Sequence, residues 1–420
     1  MFVGGGVIGL AGAWRAAQAG ARVCVLERAE PPAGATNVAA GMLAPVGELS
    51  FGEPDLLAMM LASGALWPDF VAEVEAASGT STGFRTAGAL HVALDRDEAG
   101  ELRRRHELQR ELGLEAEWLT PTACRALEPG LAPTFVGGVL AAGDFAVDPR
   151  ALALALAAAL REAGGELRTG TEVIDALWDG ERLAGVRTTP SQSQPVALGN
   201  PVGDKGLRVD VRADAVVLCN GAWSGQTPWL SEEARPKVRP VKGEVIELRP
   251  REGEALPAER IVASERIYLV PRSDGRLIAG ATQEERGFDT TVTAGGVHEL
   301  LREAYRVLPD VAEMELVGMV AGLRPGTPDN LPIVGRGAVP GLILATGHFR
   351  NGIMLAPITA DAVAATLAGR PVPEPMTLAD PNRSSLIGHR ATSDEGRAGE
   401  RSSFVPNTAT SDERTLGAAR

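Results

Sequence analysis

The chain has 420 residues, 45% of them hydrophobic, and a formal net charge of −13 at pH 7. This length allows two domains with a large core, and the negative charge argues against electrostatic binding of nucleic acid. The three cysteines show neither metal-ligand spacing nor a disulfide framework, so we predict no metal and a reducing, cytoplasmic compartment. The apolar run at 152–160 is too short to span a bilayer, and the first glycines leave no room for a signal peptide, so we predict no membrane association.

The first motif is a glycine-rich loop. Gly4, Gly6 and Gly9 match G-x-G-x-x-G, in which glycines permit a tight turn, close approach of the backbone to a pyrophosphate, and close packing of a helix on a strand. A helix predicted over 7–19 would point its positive N-terminus at the phosphates. The loop therefore predicts a dinucleotide site, the alternative being a glycine-rich turn that binds nothing.

The strands around this loop bear on the same prediction. A strand predicted over 21–26 ends at Glu27, where a carboxylate can bind the hydroxyl pair of a ribose. The strand before the loop comprises only residues 1–3, whereas strands are usually about five or six residues long. We therefore expect the natural chain to start upstream of Met1.

The other predicted elements alternate between helices and strands. In chain order they are a helix at 54–77, a strand at 88–94, helices at 97–112 and 148–163, strands at 171–178, 182–188 and 209–219, antiparallel strands within 237–282, and helices at 293–308 and 352–368. Residues 189–207 are polar and rich in Pro, Gly and Gln, which predicts a loop extension of a hairpin. Residues 383–420 lack apolar periodicity, which predicts a disordered tail.

This order predicts an α/β protein. Dinucleotide-type elements lie at both ends of the chain and a mainly antiparallel block lies between them, so we expect a doubly wound, Rossmann-like domain with an inserted, mainly antiparallel-sheet substrate domain. The predicted division is 1–85, 145–228 and 315–382 for the dinucleotide domain, 86–144 and 229–314 for the substrate domain, and 383–420 for the tail.

Four further stretches carry candidate site residues, although each alone is also compatible with core packing or a surface turn. Residues 34–45 are small, so their backbone could lie close to a flat ring and a pyrophosphate. Residues 216–224 form a strand that ends at Asn-Gly, as at the crevice edge of an open sheet. In residues 321–335, Arg324 stands between glycines and prolines, and a rigid guanidinium suits a carboxylate. Residues 346–357 form a glycine-bounded turn before the last helix, whose N-terminus could stabilise developing negative charge.

Together these stretches resemble the FAD-dependent D-amino-acid oxidase superfamily, and within it the glycine oxidases of thiamine biosynthesis. The phrases AAGMLAP (39–45), AGLRPGTPD (321–329) and GHFRNGIMLAP (347–357) are specific to that family, and their order and spacing fit. The resemblance covers about residues 1–383, apart from the loop at 189–207.

The resemblance implies a set of FAD-binding residues. Those for the ADP half and the helix start are Gly4, Gly6, Val7, Ile8, Gly9, Glu27 and Arg28, with the backbone of Val173 at the adenine. Those for the pyrophosphate and the flavin are Thr36, Ala39, Ala40, Gly41 and Met42, with Gly221 and Trp223 in a second segment. Those that cover the pyrimidine edge are Gly347, His348, Phe349, Arg350, Asn351, Gly352 and Ile353.

The resemblance also implies the substrate residues. Arg324 corresponds to the clamp on the substrate carboxylate, Tyr268 to its hydroxyl partner, and Arg350 to a second active-site arginine. Met42 would lie near the amino group. Arg266 and Gln283 occupy pocket positions that vary, and both could change the preferred substrate size.

The implied function is oxidative deamination of glycine, small D-amino acids or secondary amines such as sarcosine. The substrate would pass a hydride from Cα to flavin N5 and give the imine or glyoxylate, ammonia and H₂O₂, with O₂ as acceptor, in a homo-oligomeric enzyme that feeds thiazole synthesis. No protein base is needed if the amine binds neutral; His348, the nearest candidate, is expected to pack at its turn. The alternatives are a D-amino-acid dehydrogenase or sarcosine-type flavoenzyme, a flavin-binding protein without turnover, and a nicotinamide-dependent dehydrogenase.

Overall fold

The structure, a computed structural model, describes residues 1–189 and 208–384. The predicted loop extension after residue 189 and the predicted tail after residue 384 lie outside the described residues. The helices are α1 (Val7–Gln18), α2 (Gly34–Val38), α3 (Pro54–Ser78), α4 (Arg96–Glu111), α5 (Pro121–Leu127), α6 (Pro149–Glu162), α7 (Ala294–Val307) and α8 (Ala356–Leu367).

The strands form four sheets. In chain order they are β1 (Phe2–Val3), β2 (Cys24–Leu26), β3 (Met42–Leu43), β4 (Ala89–Ala93), β5 (Glu117–Leu119), β6 (Gly137–Ala141), β7 (Phe145–Ala146), β8 (Glu166–Arg168), β9 (Val173–Asp179), β10 (Arg182–Thr188), β11 (Val209–Arg212), β12 (Val216–Leu218), β13 (Arg239–Arg249), β14 (Ile261–Ala263), β15 (Tyr268–Pro271), β16 (Leu277–Gly280), β17 (Glu315–Gly326), β18 (Ile333–Arg336) and β19 (Leu342–Thr346).

A six-stranded sheet, in the order β18-β19-β12-β1-β2-β8, forms the first half of the molecule. Its strands are parallel except for β18, which pairs antiparallel with β19. Although β1 has only two residues, it lies in the interior of the sheet between β2 and β12. The predicted parallel, doubly wound sheet is therefore confirmed, assembled from both ends of the chain.

The helices on this sheet enclose the largest core. α1 packs against α6 and α8, and α3 packs against α6 and α8. At the centre of this core Trp14 and Trp67 both meet Phe70 edge-on, with ring centroids 5.7 and 5.6 Å away. Through Trp14 and Phe70 these aromatic contacts join α1 to α3.

Helix α3 also bears on the membrane prediction. Among the described residues it is the one helix long and apolar enough to cross a membrane, and it is longer than the run at 152–160 weighed above. However, Leu56, Met59, Trp67 and Phe70 of α3 are buried in the core. Core packing therefore accounts for the apolar residues on the inner face of this helix.

An eight-stranded sheet, in the order β17-β13-β16-β15-β14-β4-β6-β5, forms the second half. Its pairs are antiparallel except for β14 with β4, which confirms a mainly antiparallel insertion. The predicted boundary at 315 differs from the structure, because β17 pairs along its whole length with β13 of this sheet. Residues 315–326 thus continue the antiparallel sheet, and the chain returns to the parallel sheet only at β18.

Two predicted elements were wrong in detail. The strand predicted at 209–219 is two strands in different sheets, since β11 pairs with β10 while β12 pairs with β1. The helix predicted at 352–368 begins only at Ala356, and a 3-10 turn over Phe349–Asn351 precedes it. In both cases the apolar pattern continues through a bend that the backbone makes.

Candidate active site

A cavity of about 770 Å³ is lined by residues of both large sheets. One end lies at the carboxyl ends of β1 and β12, where Gly4 and Asn220 line it, and the other is lined by Arg324 and Tyr268 of the antiparallel sheet. This is the crevice in which open α/β sheets bind their ligands. The volume is within the range of cofactor and small-molecule sites.

The glycine loop makes a tight corner at the first end. Gly4 has φ +113°, and a Cβ there would lie 2.5 Å from the carbonyl oxygen of Cys219. A Cβ at Gly9 would lie 2.0 Å from the carbonyl oxygen of Gly4. Only glycine fits at both positions, because backbone atoms fill the space that a side chain would need.

Two side chains hold this corner in place. The Glu27 carboxylate accepts hydrogen bonds from the backbone N–H of Gly5 (2.6 Å) and of Ala29 (3.0 Å). The Thr36 hydroxyl accepts from the N–H of Val7 (3.0 Å), the first residue of α1. Each carboxylate oxygen has a second lone pair for a ribose hydroxyl, and the Thr36 hydroxyl keeps its own proton to donate.

Aromatic and cationic groups stack at the same end. The guanidinium carbon of Arg28 lies 4.3 Å from the centroid of the Trp223 ring, and this ring lies 5.8 Å from that of Phe288. Arg28 and Trp223 both line the cavity. Their contact joins the segment after β2 to the segment after β12.

At the other end, Arg324 reaches across a neighbouring strand. A Cβ at Gly243 of β13 would lie 2.2 Å from Nη1 of Arg324, so the guanidinium lies directly on this glycine. Nη1 donates to the carbonyl oxygen of Thr282 (3.1 Å). Burial raises the pKa of Tyr268, against the opposing effect of the Arg324 charge. A protonated phenol and a guanidinium therefore face one space, a pair suited to a carboxylate.

The loop at 44–50 forms one wall of this end. The Asp144 carboxylate accepts from the N–H groups of Val46 (3.2 Å) and Gly47 (2.8 Å), and Gln109 of α4 donates to the Val46 carbonyl oxygen (2.8 Å). Burial raises the pKa of Asp144 to about 7, against these backbone hydrogen bonds. The loop presents Glu48 to the cavity, and burial raises its pKa against the nearby arginines Arg350 and Arg105.

His348 does not have the properties of a base at neutral pH. It is buried, its Nε2 lies 3.0 Å from the Thr359 hydroxyl, and burial lowers its pKa to about 3. A neutral imidazole paired with a core threonine packs at its turn, as the sequence suggested.

Most predicted site residues line this one cavity. They are Gly4, Gly6, Val7, Ile8, Glu27, Arg28, Thr36, Ala39, Ala40, Gly41, Met42, Val173, Gly221, Trp223, Arg266, Tyr268, Gln283, Arg324, His348, Phe349, Arg350, Gly352 and Ile353. Three predicted FAD-binding residues, Gly9, Gly347 and Asn351, do not line it. Gly9 packs α1 on the glycine loop, Gly347 packs against Thr327, and Asn351 is buried. These three residues therefore support the wall of the cavity from behind and do not face it.

Comparison with known proteins agrees with this geometry. The FAD dependent oxidoreductase (DAO) family model matches residues 3–366. The chain belongs to this family. The glycine oxidase of Geobacillus kaustophilus is 35% identical over 86% of this chain and 91% of its own length, and a crystal structure of glycine oxidase from that organism has a TM-score of 0.80 at 33% identity, covering 93% and 98% of the two chains.

A second kind of relative is longer. The bifunctional protein ThiO/ThiG of Trichormus variabilis is 35% identical over 87% of this chain, but the match covers only 52% of its own length. The chain therefore spans about half the length of the bifunctional relatives that it matches.

The cofactor of this family of FAD-dependent oxidoreductases fits the residues present. The corner at Gly4 and Gly9 brings backbone N–H groups to the cavity surface with no side chain in the way, as a pyrophosphate requires. Glu27 and Thr36 each keep hydrogen-bonding capacity, and the small residues Ala39, Ala40 and Gly41 leave room for a flat ring. FAD is the cofactor that this FAD-dependent oxidoreductase uses.

Sequence reasoning missed several polar residues of the site, among them Glu48, His91, Arg105 and Arg272. The first three line the cavity. Arg272 is buried behind it and donates to the carbonyl oxygens of Ala40 and Val147; burial lowers its pKa to about 10. Glu48 closely follows the AAGMLAP phrase, and this proximity could have identified it as a site residue. By contrast, the sequence around Arg105 on α4 and around Arg272, directly after β15, contains no such motif.

Proposed function

We propose that this chain is a glycine oxidase that oxidises glycine and small D-amino acids or secondary amines such as sarcosine. The observation that carries the proposal is the common cavity, with a dinucleotide cradle at one end and Arg324 with Tyr268 at the other. The 35% identity to a glycine oxidase over most of both chains supports the same substrate class. The match to ThiO/ThiG supports a product that feeds thiazole synthesis for thiamine.

In this proposal each residue has a defined task. Arg324 binds the substrate carboxylate, Tyr268 donates its hydroxyl proton to the same group, and Met42 borders the space beside the amino group. Arg350, at the outer wall with Nη2 3.5 Å from the Ser50 hydroxyl, adds positive charge near the entrance. By holding the substrate in one orientation, these residues make the contribution of the protein to catalysis, while the cofactor supplies the redox chemistry.

The cofactor residues are assigned in the same way. Gly4, Gly6 and Val7 offer backbone to the pyrophosphate, Glu27 binds the ribose, and Val173 faces the adenine. Thr36 and the small residues that follow it hold the pyrophosphate and the ring. FAD, when bound, takes up the two electrons and the hydrogen that leave the substrate Cα, and O₂ reoxidises it.

The overall reaction is glycine with O₂ and water giving glyoxylate, ammonia and H₂O₂. The amine binds in its neutral form, so its lone pair can form the imine as Cα–H is lost. His348 takes no proton in this step, because burial holds its pKa at about 3 and Thr359 is its partner. The homo-oligomeric state, the cytoplasmic location and the domain division stay predictions.

The test is an absorbance spectrum of the purified protein before and after anaerobic addition of glycine. The proposal expects a flavin spectrum that bleaches with glycine and returns with air, with one H₂O₂ per glycine consumed. A flavin spectrum that glycine leaves unchanged would contradict it, and the same titration with D-alanine, sarcosine and proline would then identify the substrate. Bleaching without H₂O₂ on admission of air would identify a dehydrogenase.

A further inference from the structure

Arg324 contacts two backbone carbonyl oxygens, one from β13 and one from the segment that follows β16, and hydrogen bonds join these two segments to each other. Nη1 of Arg324 donates to the Thr282 carbonyl oxygen (3.1 Å) and approaches that of Lys242 (3.4 Å). With Nη1 held by the protein, the Nε and Nη2 donors are the ones available to a ligand carboxylate.

Backbone hydrogen bonds tie these segments together beyond the end of β16. The N–H of Lys242 donates to the Glu284 carbonyl oxygen (2.9 Å), and the N–H of Glu284 donates to that of Lys242 (3.0 Å). The N–H of Thr282 donates to the Glu244 carbonyl oxygen (3.2 Å). Thr282 is thus positioned by β13, the strand on which the Arg324 side chain lies.

The Thr282 side chain adds to this brace. Its hydroxyl accepts from the N–H of Glu244 (2.9 Å) and donates to Oε1 of Glu284 (3.3 Å). A hydroxyl is the smallest group that can do both. Replacing it by a methyl group leaves the Glu244 N–H without this acceptor, which is costly because β13 is buried at this point.

A buried ion pair lies on the opposite face of β13. Nζ of Lys242 donates to Oε1 of Glu244 (2.7 Å), and both side chains are 1% exposed. The same oxygen accepts from the N–H of Thr293 (3.0 Å), the residue that caps α7. Removing one partner of such a pair is costly because the other charge stays buried. Through the hydrogen bond from Thr293, the pair also holds β13 against the start of α7, behind Gly243.

We propose that Thr282, braced by Lys242, Glu244 and Glu284, is a positioning residue that sets the orientation of Arg324 toward the substrate carboxylate. Thr282 also lines the cavity, but in this role it acts on the substrate through Arg324. The brace holds one nitrogen of the guanidinium and thereby directs the others. The inference rests on the proposed function only in taking the ligand of Arg324 to be a carboxylate.

The experiment compares Thr282→Val and Thr282→Ser in the FAD-loaded full chain, with Thr290→Val, at an exposed position, as the matched control. Two quantities are measured: the Kd of acetate, from perturbation of the flavin absorbance, and kcat and KM for glycine. In Thr282→Val we expect both Kd and KM to rise about fivefold, with kcat within twofold of wild type and FAD content unchanged. Thr282→Ser keeps the hydroxyl and is expected to restore Kd and KM.

An unchanged acetate Kd in FAD-loaded Thr282→Val would overturn the proposal. A Thr282→Ser variant that binds acetate as weakly as Thr282→Val would overturn it too. If Thr282→Val loses FAD, Glu284→Ala replaces it, since this removes the acceptor of the Thr282 hydroxyl while Lys242 keeps Glu244. We expect about a twofold rise in its Kd, and no rise would overturn the proposal. Because acetate binding needs no turnover, a wild type that fails to oxidise glycine counts against the proposed function and leaves this test intact.

Discussion

The two ends of the cavity are built in different ways. At the dinucleotide end, backbone groups and side chains between Gly4 and Thr36 make much of the surface, and the hydrogen bonds of Glu27 and Thr36 to the glycine loop run within that stretch. At the substrate end, Arg324, Tyr268 and the loop at 44–50 come from three distant parts of the chain and meet through side chains. Change at the first end should therefore affect folding and cofactor content, and change at the second should affect substrate binding.

The largest effect is expected for Gly9→Ala, at the dinucleotide end. A Cβ there would lie 2.0 Å from the Gly4 carbonyl oxygen and 2.8 Å from Sγ of Cys219, and backbone cannot yield as a flexible side chain would. We expect a loss of about 3 kcal/mol in the free energy of unfolding and loss of bound FAD, measured by denaturation and by flavin absorbance.

The matched control is Gly100→Ala in the second turn of α4, where a Cβ meets nothing within 4 Å. There alanine should stabilise the helix by up to about 1 kcal/mol. Gly9→Ala protein with normal stability and full FAD content would show that the corner at Gly4 is looser than the structure has it.

Arg324→Ala tests the other end. A charge-assisted hydrogen bond contributes about 1.5–3 kcal/mol, so KM for glycine should rise by one to two decades while FAD content stays unchanged. The measurement is steady-state H₂O₂ production against glycine concentration, with Arg249→Ala, on the exposed end of β13, as control. Unchanged KM would remove Arg324 from the site, and loss of FAD would erase the proposed difference between the two ends.

The same comparison explains what sequence could predict. Gly4, Glu27 and Thr36 lie in one short stretch whose spacing itself encodes a turn, a helix start and an acid after a strand. Arg324 could be suspected from the glycines and prolines around it, but its pairing with Tyr268 could be assigned only through resemblance to a family, because no spacing links positions more than fifty residues apart. Asp144 and Arg105 were not found by either route, since their contacts with the loop at 44–50 depend on how α4 and the segment before β7 pack.

Asp144→Asn tests the support of that loop through pH. Burial raises the pKa of Asp144 to about 7 in the folded state, above the ordinary value of 3.8, so the folded protein holds a proton that the unfolded chain has released. This contribution is present at low pH and is lost as pH rises from about 4 to about 7, which is the reverse of the usual aspartate. From pH 5 to pH 7 the wild type should lose on the order of 2 kcal/mol from this group.

Asparagine does not titrate, so the difference in free energy of unfolding between Asp144→Asn and wild type should shift in favour of the variant across that interval. Asp55→Asn, at the exposed start of α3, is the control. A difference that stays constant from pH 5 to pH 7 would mean that Asp144 is already ionised at pH 5.

The smallest effect is expected for Tyr268→Phe, which separates binding from chemistry at the substrate end. Burial raises the pKa of this phenol, so its hydroxyl remains a donor across the working pH range, and one neutral donor contributes about 1 kcal/mol. KM for glycine should rise about fivefold with kcat within twofold of wild type. Tyr305, the other tyrosine of the chain, is 54% exposed on α7, and Tyr305→Phe should change neither constant. If Tyr268→Phe instead lowers kcat and leaves KM unchanged, the hydroxyl acts in the step that breaks Cα–H, and the substrate end does more than hold the carboxylate.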